Sequence, residues 1–238
     1  MFISFEGTEG VGKTTLIRKI HQHFEEQGKQ VVLTREPGGT PLAEQIRSML
    51  LAVNHDENMS HDTELLLIYA ARAQHLQQVI LPALESNKIV LSDRFTDASF
   101  AYQCSGRGLS QDKLQLLNQN FVSRMPEVTF WLDAPIELGM NRARERGALD
   151  RFEQEKLSFF TKVREGYETL WKAEPERIKR LDATQSLISV RASSTIFSIS
   201  HGITHSHIFL GVVKNDKKSG FKRHRKYWAV SYAILITV

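Results

Sequence analysis

Along this chain, short apolar runs alternate with longer stretches in which apolar residues recur every three to four positions. Phe2 to Phe5, Val31 to Leu33, Ile89 to Leu91, Val128 to Leu132 and Ile178 to Leu181 are brief and bounded by Gly, Pro, Asp or polar clusters, the pattern of strands buried on both faces. Helical period marks Thr14 to Gln27, closed by Gly28, then Leu42 to Leu51, Thr63 to Glu85, Gln111 to Val122, Ile136 to Arg146 and Glu153 to Trp171. Asp62 is placed to N-cap the third helix, and Pro135 stands where a first helical turn accepts proline. Strand and helix in alternation predict a doubly wound α/β fold with five parallel strands, whose ligands bind beyond the carboxyl ends of the strands. No internal repeat interrupts this order.

The end of the first strand carries chemistry. Gly7-Thr8-Glu9-Gly10-Val11-Gly12-Lys13-Thr14, followed by Thr15, fits G-x-x-x-x-G-K-S/T and lies between a strand and a helix, the context that pattern requires. Small residues there let backbone N–H groups converge on a triphosphate, the helix N-terminus adds partial positive charge, Lys13 reaches the outer phosphates and the Thr14 hydroxyl ligates Mg²⁺. Two further strand ends reach the same edge: Thr34-Arg35-Glu36-Pro37-Gly38-Gly39-Thr40 after the second, and Asp93-Arg94-Phe95 after the third. Asp93 offers a carboxylate to Mg²⁺, directly or through water, and Arg94 offers a planar fork to a second phosphate group. An Asp-Arg pair alone reads as a surface ion pair; its place opposite a phosphate-binding loop reverses that reading.

Composition narrows the setting. With 238 residues, 41% of them hydrophobic, the chain suits one sizeable core. MFISFEG has no basic stretch before its apolar residues, and no apolar run approaches the roughly 20 residues of a spanning helix, so a cytoplasmic protein without membrane association is expected. The single cysteine, Cys104, fits a reducing compartment. The net charge of +4 is unevenly placed: Ser186 to Val238 hold eight Lys or Arg against one acid, Asp216, which leaves the body at −3. A sequence pI near 9.2 therefore describes the tail and gives no reason to expect a nucleic-acid partner.

GTEGVGKT, TREPGGT, YAARAQH, DRFTDASFAYQ, GRG and RARERGALDRFEQE, in this order and spacing, closely resemble the bacterial thymidylate kinases over about residues 1–185. The resemblance implies a three-layer P-loop nucleoside-monophosphate-kinase fold, usually homodimeric, that transfers the γ-phosphoryl group of ATP to dTMP with Mg²⁺ and yields dTDP and ADP. It places ATP on Gly7 to Thr15 and dTMP on Glu9, Glu36, Arg47, Arg72, Arg94, Ser99, Tyr102 and Gln103. Arg72 matches the arginine that recognises the thymine edge, Glu9 the acid near the sugar 3′-hydroxyl, and Arg94 the arginine on the acceptor phosphate. Taken singly, Arg72 reads as a solvated helix-face charge and Tyr102 as a core aromatic. Residues 142–153 resemble the lid, in the variant whose lid carries the catalytic arginine; Val11 is consistent with this, since the other variant has a basic residue there. Lys13, Asp93 and Arg94 are thus joined as candidate catalytic residues by Arg144, Arg146 and Arg151, with Arg142 also in play. Arg107 of the GRG stretch is a weaker candidate at the acceptor site. One position departs: many relatives have a stacking phenylalanine four residues before the base-reading arginine, where this chain has Ile68, with Tyr69 beside it.

After Leu181-Asp182-Ala183-Thr184-Gln185, where relatives usually continue with an amphipathic helix, the sequence becomes Ser- and Ile-rich and nearly free of acids. A reading-frame break in the gene or assembly is favoured over a functional extension. His201, His205 and His207 lack nearby Cys or acidic partners for a metal, and Lys222 to Lys226 suit RNA or anionic lipid only if the tail is genuine.

Overall fold

The computed structural model describes residues 1–53, 57–145, 147 and 150–184; Arg146 and the tail from Gln185 lie outside them. The five predicted strands form one parallel sheet: β1 (Phe2–Glu6), β2 (Val31–Arg35), β3 (Ile89–Asp93), β4 (Val128–Asp133) and β5 (Ile178–Asp182), in the order β2-β3-β1-β4-β5. β1 is buried along its whole length, as a central strand covered on both faces must be. The edge strands β2 and β5 alternate between exposed and covered positions. Each strand runs one or two residues past the apolar run that marks it, because ladder pairing continues into Glu6, Arg35 and Asp93 at the functional edge.

Helices α1 (Lys13–Glu26) and α2 (Pro41–Leu51) match their sequence pattern closely. Thr40 caps α2, its hydroxyl accepting from the Ala43 N–H. The long third helix is a composite of α3 (His61–His75), a π-helical turn (Leu76–Ile80) and α4 (Leu81–Glu85). Pro82 has no N–H to continue an α-helical ladder, so a change of hydrogen-bond register just before it is understandable. The cap of α3 is Ser60, which accepts from the Thr63 N–H, and not Asp62. Asp62 instead lies in the first turn and meets Lys113 across the surface.

A helical segment that periodicity did not mark follows β3: α5 (Thr96–Ser99) runs into a second π-helical stretch, Phe100–Gly106. α6 (Gln111–Phe121), α7 (Ile136–Arg144) and α8 (Leu157–Ala173) complete the layers. α8 begins four residues later than its pattern, because Asp150 folds the segment before it into a turn by accepting from the N–H groups of Phe152 and Glu153. Gly166 lets α8 press against the π-helical stretch: a Cβ there would meet Ser105 and, at 3.0 Å, the Ala101 Cα. Among the described residues, no helix is long and apolar enough to cross a membrane.

Candidate active site

The phosphate-binding loop is shaped by close contacts. Gly7, Gly10 and Gly12 all have positive φ, at 133°, 66° and 94°. A side chain on Gly10 would strike the Gly139 carbonyl, and one on Gly139 would strike the Glu9 carbonyl, so α7 and the loop fit together only because both positions are glycine. Lys13, at the start of α1, folds back over this loop and donates from Nζ to the carbonyls of Gly7 (3.1 Å) and Thr8 (2.9 Å).

Beyond the loop lie two cavities that share a wall. The first is lined by residues 9–15 together with Asp93, Arg142 and Glu153. The second has apolar walls from Leu51, Ile68, Phe95, Ala98 and Phe152 and carries Arg72, Ser99, Tyr102 and Gln103. Glu9, Glu36, Arg47, Arg94 and Asp150 line both. Arg94 is central to this shared wall: Nη2 donates to Glu9 (2.6 Å), Nη1 to the Tyr167 hydroxyl (3.2 Å), and the guanidinium lies 4.7 Å above the Tyr102 ring. Tyr102 completes the triangle by donating to Glu9 (2.9 Å).

Electrostatics at this edge are unbalanced in favour of an anion. Burial lowers the Lys13 pKa and the Arg94 charge lowers it further, against partial compensation from Glu9, Asp93 and Glu6. Arg47 is lowered in the same way, by burial and then by Arg35, with Arg94 contributing. Burial also works against Arg94, but Glu9 and the neighbouring tyrosines outweigh it and hold Arg94 well above its ordinary value. Two cations whose charge is disfavoured first by burial and then by neighbouring arginines are what a phosphate would relieve.

Arg72 and Ser99, both in the wall of the second cavity, each carry a fully buried polar atom without a hydrogen-bond partner, Nη1 and Oγ. Buried groups of this kind rarely stay unsatisfied in a native protein. The other Arg72 nitrogens are fixed, Nε to Glu36 (2.7 Å) and Nη2 to the Phe95 carbonyl (3.1 Å). Ile68 lines the cavity, whereas Tyr69 turns away and donates to Asn118 on α6 (2.7 Å). Tyr69 therefore does not replace the stacking phenylalanine that Ile68 displaces.

Most of the residues that the sequence singled out come together here, but the lid arginines separate. Arg142 lines the phosphate-loop cavity and also reaches the Ala183 carbonyl (3.3 Å). Arg144 is exposed and lines neither cavity, since it follows Arg142 by two positions and so leaves α7 from another face. Arg151 is directed elsewhere: it donates to the Leu50 carbonyl and to buried Glu64, both at 2.7 Å. Arg107 meets the same Glu64 and Glu155. Arg151 therefore ties the end of the 142–153 segment to α3, and Arg107 bridges α3 to Glu155 just after it. Gln103 also donates to Glu64 (2.9 Å), and the Arg47 Nη1 donates to the Pro37 carbonyl (2.9 Å). Thr14 and Asp93 line the phosphate-loop cavity together, an all-oxygen pair that fits Mg²⁺. Among the described residues no group of three or more His, Cys, Asp or Glu could hold a metal, so such an ion would complete its shell from phosphate and water.

Glu6, which sequence reasoning passed over, closes the back of the site. It accepts from the Phe95 N–H (2.7 Å) and the Tyr167 hydroxyl (2.8 Å), and burial followed by repulsion from Asp97 raises its pKa to about 8. A lone acid ending an apolar strand was its only signal. Folded Glu6 keeps its proton to about pH 8 while the unfolded chain releases it near the ordinary carboxyl value, so between these limits this group makes stability fall as pH rises. Glu6→Gln can still accept from the Phe95 N–H and can donate its amide to the Tyr167 hydroxyl oxygen, without titrating. Its melting temperature should decline less than wild type's between about pH 5 and pH 8; equal slopes would refute this account.

A loop built for phosphates, opening through a belt of charge onto a drier pocket walled in part by residues with unsatisfied polar atoms, defines a P-loop nucleotide kinase as a class. A sequence model of the thymidylate kinase family matches residues 5–193. A thymidylate kinase of Acinetobacter baumannii (strain AYE) is 99% identical over 186 residues, covering 78% of this chain and 94% of that one. One from Pseudomonas syringae pv. tomato is 54% identical over 194 residues, covering 81% and 92%. The crystal structure of thymidylate kinase from Ehrlichia chaffeensis superposes with a TM-score of 0.63 at 33% identity, covering 76% of this chain and 91% of that one. The chain belongs to the thymidylate kinase family.

Proposed function

We propose that this protein transfers the γ-phosphoryl group of ATP to the 5′-phosphate of dTMP. The observation that carries this reading is the pair of buried, unpartnered groups, Arg72 Nη1 and Ser99 Oγ, on residues that line a pocket meeting the phosphate-loop cavity at Arg94. A pyrimidine monophosphate supplies the base acceptor that Arg72 lacks and a phosphate for Arg94. An oxygen of that phosphate attacks the γ-phosphorus, the bridging bond to the β-phosphate breaks, and ADP departs with the bonding electrons.

Such a transfer needs alignment and charge neutralisation more than covalent help. Lys13 serves the donor phosphates, Arg94 stands between donor and acceptor, and Arg142 is the described lid arginine on the donor side. Thr14 and Asp93 would hold Mg²⁺, which when bound neutralises phosphate charge. Glu9, held by Arg94 and Tyr102, presents its carboxylate at the junction, where it suits a sugar hydroxyl. The kinase is assigned to residues 1–185. A homodimer would remove from water exposed apolar side chains such as Leu66 on α3 and Leu116 and Phe121 on α6; a monomeric mass in sedimentation would overturn it.

ADP release should be measured with dTMP, dUMP, dCMP, dGMP and thymidine as acceptors, using the full chain and a version ending at Gln185. The highest kcat/KM is expected for dTMP. Turnover of ATP that ignores the acceptor would overturn the reading, and a preference for dCMP or dGMP would move it to another nucleotide kinase.

A further inference from the structure

His75 is fully buried, lines neither cavity, and stands one turn beyond Arg72 on α3. Its Nδ1 lies 3.0 Å from Glu36 Oε1, and its Nε2 lies 2.5 Å from the Thr34 hydroxyl on β2. An ionised carboxylate only accepts, so Nδ1 carries the proton; in the neutral ring Nε2 then accepts from Thr34. Glu36 gives its other oxygen, Oε2, to Arg72 Nε. A continuous chain thus runs from Thr34 through His75 and Glu36 to Arg72 and ends at the unpartnered Nη1. The neighbouring turn makes room for it, since a side chain on Gly39 would strike both the His75 ring and the Thr34 hydroxyl.

The Arg72–Glu36 pair is single-pronged, although arginine and a carboxylate favour a two-pronged fork when both oxygens are free. His75 occupies the second oxygen. We infer that His75 is a positioning residue for nucleotide-base recognition: by holding Glu36 Oε1 it prevents a closed fork through Nε and Nη2, so that the guanidinium keeps its bond to the Phe95 carbonyl and its place in the wall of the second cavity. Without it, Glu36 and Arg72 relax into a two-pronged pair, Nη2 leaves the Phe95 carbonyl, and the guanidinium shifts in the cavity wall. The inference rests on the assignment of the second cavity to dTMP.

His75→Asn, His75→Gln and His75→Leu separate this role from simple packing. An asparagine amide nitrogen stands near the position of Nδ1 and can still donate to Glu36, whereas a glutamine amide extends toward the position of Nε2 and Thr34. By calorimetry, the Gln and Leu variants should bind dTMP about tenfold or more weakly, with the Asn variant close to wild type. KM for dTMP should rise in the same two variants while kcat and KM for ATP change little. Unchanged dTMP affinity in the Gln variant, equal losses in Asn and Gln, or parallel losses for ATP would overturn the inference. If no His75 variant folds, Thr34→Val carries the test: dTMP binding should weaken about threefold as the ring loses its anchor, and unchanged binding would overturn the inference. Failure of the wild-type protein to bind dTMP would instead refute the assignment of the cavity, and this proposal with it.

Discussion

Replacing Lys13 with methionine is expected to abolish phosphoryl transfer while leaving the fold in place. The ammonium is the only side-chain donor seen folding back over the loop carbonyls among the described residues, and it lies within the cavity that would take the triphosphate. A preorganised cation at a position where charge develops contributes on the order of a thousandfold or more to such transfers. Stability should respond far less. Methionine fills most of the lysine's volume, and although the carbonyls of Gly7 and Thr8 lose a donor, a charge that burial already disfavours is removed with it. ADP release with dTMP and thermal unfolding, measured on the same preparation, separate the two effects. Near-normal turnover in the variant would refute the role, and collapse of the fold would show that Lys13 is chiefly structural.

Why some of this was legible in the sequence, and some not, follows from the range of the interactions. The strands were visible because burial on both faces demands continuous apolar runs, and the phosphate loop because its glycines take positive φ within a few consecutive residues. Sequence order then placed three strand ends on one edge, which brought Glu9, Glu36 and Arg94 to the boundary of both cavities. The lid arginines were not legible in this way. Whether Arg142 or Arg151 faces the donor depends on partners far along the chain, Ala183 for one and Leu50 and Glu64 for the other. Arg146 lies outside the described residues. His75 left a trace in its three-residue spacing from Arg72, which puts both on one face of a helix, but nothing local indicates that Glu36 would lie between them. The helical stretch after β3 was missed because the π-helical run Phe100–Gly106 breaks the period of 3.6 that would have revealed it. Only its first turn is α-helical, and its buried Thr96, Asp97 and Ser99 hide an apolar stripe.

Arg94→Ala should reduce kcat/KM for dTMP on the order of a thousandfold, and Arg94→Lys should restore only part of it. The arginine forks between Glu9 and Tyr167, with the Tyr102 ring beneath its plane. A lysine ammonium is a compact charge without that fork, so it can neutralise phosphate but cannot hold all three neighbours at once. The backbone gives the position further meaning. Arg94 has φ of 74°, a left-handed conformation uncommon for a long side chain, maintained while its N–H donates to the Phe5 carbonyl at 3.0 Å. Local backbone preference therefore gives no reason for an arginine here, which leaves its place between the cavities as the reason. Removing the guanidinium also removes a charge that lowers the Lys13 pKa, so Lys13 should titrate at higher pH in Arg94→Ala. Transfer that uses Arg94 in the transition state must lose kcat as well as affinity. A rise in KM for dTMP with kcat intact would reduce Arg94 to a binding residue, and full activity in Arg94→Lys would show that charge alone suffices at the junction.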